Sequence, residues 1–421
     1  MKKLKVGIVG LGQRGIVLLT PLCQMEDVEI VAVCDCYEDR IEEAIKAVEE
    51  NAGYTPWGTT DYHEIIKTDE IEAIVIAAAW ELHVEIATDA MRAGKYVGVE
   101  VGGAYSVEDC WKLVRTSEET GTKCMFLENC CYTEYEMMCL NMAKKGLFGE
   151  IVHCTGGYHH DLRDEISSGN EIRHYRLRNY TLRNCDNYPT HQLGPICKIL
   201  NINRGNRMLS LTSMASKAVS LHEFAKENSD KYADLVNTRF AQADVVTTTI
   251  KCAGGETITL TLNTTMPGPY SRNFTVNGTK GCYNEENQSV FLEKDKGNYT
   301  QTYDEWSFDW RKSWGNADEY AKTYAHPLWK KYKEDGVKEG HGGGDWLVLR
   351  AFVESAIENL DPPMDVYDAA AWMSISALSE ESVAMGGLPV AIPDFTNGKW
   401  VNPKPQKLVE AYRLDKIPEI K

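Results

Sequence analysis

The sequence predicts an α/β protein: a doubly wound parallel sheet, then an α+β domain with an open, mostly antiparallel sheet. Three observations lead there. Up to about residue 150, short β-branched runs alternate with amphipathic helical stretches, the pattern of parallel strands joined by crossover helices. From Glu150 onward, strand-like runs are separated by glycine-rich turns such as Ala253-Gly254-Gly255 and Asn277-Gly278, which suits antiparallel pairing. A chain of 421 residues also exceeds one ordinary core. Domains are therefore expected at 1–149 and 150–421, with a tail bearing Pro389, Pro393 and Pro403 as a strap back to the first.

The first strand, Val6 to Val9, breaks into Gly10-x-Gly12-x-x-Gly15 and then into the apolar-periodic stretch Ile16 to Cys23. In a strand, turn and helix of this kind Gly10 turns the chain, Gly12 lets the backbone approach a pyrophosphate, and Gly15 lets helix and strand pack closely. A diphosphate would rest on the free N–H groups and positive dipole end of the helix. The next strand, Val28 to Val33, leads to Asp35, twenty residues after Gly15, where a carboxylate accepts hydrogen bonds from a ribose diol. The order of these features points to dinucleotide binding, with NAD preferred over NADP.

Helical spacing from Tyr37 to Glu50 ends in the Gly53–Gly58 loop, and a short helix is expected at Tyr62–Ile66. The continuous apolar run Ala73–Ala78 reads as a buried parallel strand. It is followed by Trp80 and His83, a helix through Met91, and a strand from Gly94 to Val99 that ends at Glu100. Trp111–Glu119 repeats the helix, and Lys123–Leu127 repeats the strand, ending at Glu128-Asn129. Ligands of doubly wound sheets bind at the carboxyl ends of strands. Gln13, Arg14, Trp80, His83, Glu100 and Asn129 therefore join the three glycines and Asp35 as expected cofactor contacts.

In the second half, Ile151–Tyr158 reads as a strand running into the polar loop His159-His160-Asp161-Leu162-Arg163, and then into Arg173–Arg183. Tyr188-Pro189-Thr190-His191 leads into an apolar helix, and 244–251, 256–263, 274–278 and 289–292 are strand-like. Residues 294–345 read as a long excursion ending at His341-Gly342-Gly343-Gly344-Asp345, before helices at 346–359 and 366–383.

A formal charge of −17 argues against nucleic acid or anionic membranes as partners, since both need clustered Lys and Arg. Met1-Lys2-Lys3-Leu4 runs straight into the first strand, and no apolar run is long enough to span a bilayer. Thirteen scattered cysteines suit reduced thiols, so a cytoplasmic location is expected. No metal is expected. Cys34-x-Cys36 and Cys130-Cys131 read as small buried groups beside strand ends, and adjacent histidines such as His159 and His160 point opposite ways on a strand.

The chain as a whole resembles the glucose-fructose oxidoreductase and inositol dehydrogenase superfamily, whose members pair a Rossmann domain with an open-sheet domain. Most of that group carry Glu-Lys-Pro after the strand that here ends at Val99, and its lysine helps to deprotonate the oxidised hydroxyl. Here the motif reads Glu100-Val101-Gly102, and valine moves no proton. The departure resembles a narrower branch, glycoside hydrolase family 109, whose members are NAD-dependent N-acetylgalactosaminidases. The likeness rests on Glu100-Val101, Leu127-Glu128-Asn129 with Tyr132, Gly156-Gly157-Tyr158-x-His160-Asp161-Leu162-Arg163, Tyr188-Pro189-Thr190-His191-x-Leu193-Gly194-Pro195, Leu200-Asn201-Ile202-Asn203-Arg204-Gly205 and His341-Gly342-Gly343. Gln192 stands where that family is expected to have glycine.

The resemblance implies a route unlike the paired-carboxylate glycosidases. Nicotinamide takes hydride from C3 of the sugar, the ketone acidifies the C2 proton, the aglycone leaves C1 by elimination, water adds, and hydride returns to C3. Residues that exchange protons near neutral pH are required. His191 is the first candidate, followed by Tyr158, with Glu128 and Tyr270 at further family positions. Tyr188 and one arginine of the loop, Arg163 first among Arg173, Arg176, Arg178 and Arg183, are expected on the sugar, a glycan or glycoside. The alternative is a plain NAD-dependent sugar or polyol dehydrogenase, or a 3-keto-glycoside former. A non-catalytic binding protein is the remaining reading. A homo-oligomer, dimer or tetramer, is implied by the superfamily's open sheet.

Overall fold

The computed structural model describes residues 3–298, 313–338 and 340–419. The chain forms two compact units, Met1–Tyr132 with Gly336–Ala377 and Lys404–Arg413, and Thr133–Asp335 with Leu378–Pro403 and Leu414–Lys421. The division expected near residue 149 thus falls at Tyr132/Thr133, and later segments alternate between units. The reason is local: Glu134–Lys144 is an apolar helix whose buried Met137, Met138, Leu140 and Met142 carry no mark of which sheet they cover.

In the first unit β1 (Leu4–Val9), β2 (Val28–Cys34), β3 (Trp57–Thr59), β4 (Ala73–Ile76), β5 (Tyr96–Val99) and β6 (Cys124–Phe126) form one parallel sheet in the order β3-β2-β1-β4-β5-β6. Helices α1 (Gln13–Cys23), α2 (Glu38–Ala52), α3 (Tyr62–Lys67), α4 (His83–Arg92) and α5 (Val107–Thr120) connect its strands. The order reverses between β1 and β4, which opens a ligand crevice at their carboxyl ends. β3 lies inside the stretch expected to be loop, because a three-residue edge strand is too short to show a period. α5 starts at Val107 rather than Trp111, since Ser106 caps it by accepting the Asp109 N–H at 3.0 Å.

The helix Gly344–Ile357 belongs to this unit and lies on the sheet: a Cβ on Gly98 would fall 2.9 Å from the Phe352 ring. Arg350 ties it down through a fork to Asp27, at 2.6 and 3.1 Å. It ends two residues before the expected Asn359, which adopts the left-handed conformation (φ 49°) that terminates helices. Within the same unit the tail segment is pinned by Asp361, whose N–H donates to the Lys407 carbonyl and whose Oδ2 accepts the Lys407 N–H, and by the Tyr132 hydroxyl donating to the Tyr412 carbonyl at 2.6 Å.

The second unit contains α6 (Glu134–Lys144), β7 (Ile151–His159), α7 (Arg163–Ser167), α8 (Arg176–Leu182), α9 (Thr190–Ile199), β8 (Met208–Ala215), α10 (Ser220–Glu227), β9 (Val245–Cys252), β10 (Thr257–Asn263), β11 (Thr275–Gly278), β12 (Gly281–Asn284), β13 (Ser289–Leu292), α11 (Ala317–Tyr324), α12 (Pro327–Asp335) and β14 (Val390–Ala391). The strands form a sheet in the order β13-β12-β11-β7-β10-β9-β8-β14, antiparallel throughout except for β7 with β10. β8 escapes sequence detection because its pairing slips between Met208 and Ser210, which breaks the two-residue alternation. Cys154, Gly156 and Tyr158 of β7 face the buried side, and α9 packs there. Of the excursion 294–345, residues 299–312 and 339 lie outside the described residues, and α11 and α12 occupy part of the rest.

All thirteen cysteines are free. Among the described residues no helix is long and apolar enough to cross a membrane.

Candidate functional site

The glycine loop of the first unit has the shape of a diphosphate cradle. Gly10 has φ 94°, and a Cβ there would lie 2.3 Å from the Ala78 nitrogen. At Gly15 a Cβ would lie 2.0 Å from the Gly10 oxygen. At Gly12 the nearest atom to a Cβ is Arg40 Nη1, at 3.6 Å, so the backbone is open where a phosphate approaches. No side chain caps α1 and no acid lies in its first turn, which leaves the N–H groups and the dipole to an anion. These observations fit a nicotinamide dinucleotide. Gln13, the first helical residue, is exposed. Asp35 is buried and braces the loop, Oδ2 accepting the Leu11 N–H at 2.7 Å and Oδ1 the Tyr37 N–H at 3.1 Å. Oδ1 also accepts from the Cys36 thiol at 3.6 Å, while Oδ2 keeps a second lone pair for a ribose hydroxyl.

Arg14 is held between two buried carboxylates. Its Nε donates to Glu100 Oε1 at 2.9 Å, while Nη1 and Nη2 fork Asp345 at 2.9 and 2.8 Å. Asn129 Nδ2 donates to the same Asp345 at 2.8 Å, and His341 Nδ1 is 2.7 Å from it. Burial pushes the Glu100 carboxyl up against the pull of Arg14. Burial acts the same way on Asp345, but the His341 hydrogen bond and Arg14 prevail and hold it below the usual carboxylate range. Arg14 thus serves its carboxylate neighbours. Val101 is buried and its N–H donates to Glu100 Oε2 at 2.9 Å. Trp80 covers Gly102, where a Cβ would fall 2.4 Å from the ring. His83 is buried with Nε2 2.9 Å from the Ala78 carbonyl, and burial lowers it to about 4, so its imidazole is neutral. Glu128 is fully buried at the end of β6 and accepts the Cys130 N–H at 3.1 Å.

In the second unit a cluster of rings forms around Tyr158. Its ring centre lies 4.7 Å from Tyr188, 5.6 Å from His191 and 6.1 Å from Tyr270, and Tyr188 is 4.7 Å from His191. The Tyr158 hydroxyl is 2.9 Å from His160 Nδ1, as expected of residues two apart on one strand face. Burial, with the charges of Arg176 and His191, lowers His160 below the ordinary imidazole range, so its ring is neutral and Nδ1 can accept the phenol hydrogen bond. Arg176 sits 5.4 Å over the Tyr188 ring and pairs with Glu165. Arg163, the arginine first expected on the sugar, forks Asp161 at 2.9 and 2.7 Å and lies 5.0 Å over Phe224.

Residues 132–402 match the model of the glycosyl hydrolase 109 C-terminal domain, and residues 4–127 match that of the oxidoreductase family NAD-binding Rossmann fold. The chain belongs to glycosyl hydrolase family 109. It is 38% identical over 427 residues to the alpha-N-acetylgalactosaminidase of Tannerella forsythia, covering 96% of this chain and 88% of that one. It is 37% identical to a family 109 protein of Parabacteroides distasonis, covering 96% and 89%. Among solved structures, levoglucosan dehydrogenase in complex with NADH and levoglucosan matches with TM-score 0.66 at 17% identity, covering 93% of this chain and all of that one. The myo-inositol 2-dehydrogenase of Lactobacillus plantarum matches with TM-score 0.65 at 16% identity, covering 93% and 100%. These two share the fold.

Three features of this family 109 chain escaped the sequence reading. His160 stands in the family motif, but its hydrogen bond to Tyr158 emerges only in the folded chain, where the two side chains fall on one side. Arg176 was one arginine of several, and nothing in its spacing marks it as the one over Tyr188. Asp186, two residues before Tyr188, is fully buried; burial raises its carboxyl to about 7 against hydrogen bonds from the Tyr188 backbone and Thr248. Gln192, at the position expected to be glycine, is buried over Gly156, and neither amide atom has a protein partner.

Two outcomes follow from this geometry. Gly10→Ala should lower stability by about 2 kcal/mol or more, whereas Gly12→Ala should leave the thermal midpoint within a few degrees and weaken dinucleotide binding; thermal melts and calorimetric titration separate them. Asp186 binds its proton more tightly when folded than when unfolded, so its contribution to stability declines between about pH 4 and 7 and is flat above. Asp186→Asn should therefore remove that slope and raise stability at pH 8, by up to about 4 kcal/mol at 1.36 kcal/mol per unit, as read by urea melts across pH.

Proposed function

We propose that this chain is an NAD-dependent exo-glycosidase. It releases a terminal α-linked N-acetylgalactosamine, or a related hexosaminide, by transient oxidation at C3, elimination at C1, water addition and re-reduction. The observation that carries this reading is the Tyr158–His160 hydrogen bond beside His191, in a chain 38% identical to an alpha-N-acetylgalactosaminidase. The glycines of the loop, the α1 N-terminus and Asp35 hold the cofactor. When bound, NAD supplies a reversible hydride acceptor, so the C2 proton becomes acidic only while the sugar is oxidised and net redox change is zero.

The chain's own groups then bind the sugar and move protons. Tyr188 and the half-exposed Tyr270 offer ring faces to the apolar side of the sugar, and Arg176 donates to its hydroxyl or acetamido oxygens. His191 and the Tyr158 hydroxyl exchange protons with the sugar, and Nδ1 of the neutral His160 orients the Tyr158 hydroxyl. Glu128 positions the ribose or the substrate. A dehydrogenase reading draws on the fold neighbours and on the oxidoreductase match of residues 4–127, and the missing lysine at Val101 speaks against it.

The deciding measurement follows nitrophenolate release from p-nitrophenyl α- and β-N-acetylgalactosaminides together with NADH absorbance, in deuterated water. Many turnovers without net NADH, faster on the α anomer and with deuterium at C2 of the product, are expected. Accumulating NADH without nitrophenolate would return the protein to the dehydrogenases, and product without deuterium at C2 would remove the elimination step. Arg176→Ala should reduce kcat/KM by about a hundredfold, as loss of a charged hydrogen bond worth roughly 3 kcal/mol implies. Arg163→Ala should change it by less than about threefold, since that guanidinium is committed to Asp161.

A further inference from the structure

Arg40, five residues after Asp35, stands on the ribose side of the glycine loop. It is the third residue of α2, and its side chain is only 18% exposed. Nη1 is 3.6 Å from a Cβ built on Gly12, and the same nitrogen lies 3.7 Å from Asp35 Oδ2. The guanidinium therefore sits between the backbone that a pyrophosphate approaches and the carboxylate that reads the ribose. Its Cζ is 5.0 Å over the ring of Tyr37, whose N–H donates to Asp35 Oδ1 at 3.1 Å. Charge and ring thus hold the arginine at this place.

Charge decides what this pocket admits. A carboxylate alone at the end of the second strand accepts from the 2′-hydroxyl of NAD and repels the 2′-phosphate of NADP, which a nearby arginine accommodates. A guanidinium stays cationic throughout the pH range of a folded protein. Beside Asp35 it brings the pair to zero net charge, and its planar fork matches phosphate oxygens. Glu38 and Asp39 share the first turn of α2 but are exposed, so solvent and salt screen them. Asp35 Oδ2, with one N–H already accepted, keeps a lone pair for the diol of NAD. One pocket therefore holds what each dinucleotide needs.

We propose that Arg40 makes the ribose pocket dual, so that the chain takes NADP as well as NAD, the guanidinium receiving the 2′-phosphate. This rests on the cofactor reading above. In a redox-neutral cycle the dinucleotide ends each turnover as it began, so the chemistry gains nothing from telling the two apart. Asp35 keeps NAD the better ligand, and Arg40 sets how far NADP falls behind.

The test uses the full chain with Arg40→Ala and Arg40→Lys, each checked for folding by a thermal melt. Calorimetry gives the affinities for ADP-ribose and 2′-phospho-ADP-ribose, which differ only in the 2′-phosphate. Wild type should bind the two within about a hundredfold of each other. Alanine should weaken 2′-phospho-ADP-ribose by about thirtyfold, as loss of a charge-assisted hydrogen bond implies, and ADP-ribose by less than about threefold. Lysine, which keeps the charge, should stay within about fivefold of wild type for both. A wider gap between the ligands in wild type would overturn the proposal. So would an alanine variant that loses both ligands equally, since Arg40 would then serve the diphosphate they share, or one that loses neither. A lysine variant as weak as alanine would overturn it too, because charge would not be what acts. If wild type binds neither ligand, the cofactor reading itself falls and takes this proposal with it.

Discussion

Arg14 between Glu100 and Asp345 is the interaction on which the first unit depends. It joins the glycine loop after β1, the end of β5 and the start of the helix Gly344–Ile357, three segments far apart in sequence. A buried guanidinium is tolerable only when its donors are met, and here two carboxylates meet them while Asn129 and His341 satisfy Asp345. Removing either acid would leave N–H donors of Arg14 unmet.

The second unit achieves its site by different means. β7 alternates, so Tyr158 and His160 share a face while His159 pairs across the sheet with Ser271. The loop before α9 is held by Asp186 and Cys185, whose N–H groups donate to Ser379 and Gln242, and this presents Tyr188 and His191 to Tyr158. Rings pack edge to face here rather than in parallel stacks, as aromatic quadrupoles favour.

Gln192 shows where a family pattern and a physical argument part company. Its side chain fills the space over Gly156, and a second residue of any size at 156 would collide with it. Its amide is buried without a protein partner, a condition that proteins seldom leave unmet by water or ligand. Gly156 leaves the room that the Gln192 side chain fills across the β7–α9 contact.

The sequence by itself determined the dinucleotide half closely. Three glycines, an acid at the end of the second strand and apolar strands of the right length leave few alternatives, because each is a local requirement of backbone or period. It also placed Tyr158, Tyr188, His191 and Tyr270 among the candidates, on the strength of the family motifs. Tertiary structure decided what local pattern cannot carry: that residues 133–149 group with the second unit, that Arg176 rather than Arg163 stands over Tyr188, and that Arg14 serves Glu100 and Asp345. Charges and aromatic groups find partners through space, and a sequence has no period that records which of five arginines turns inward.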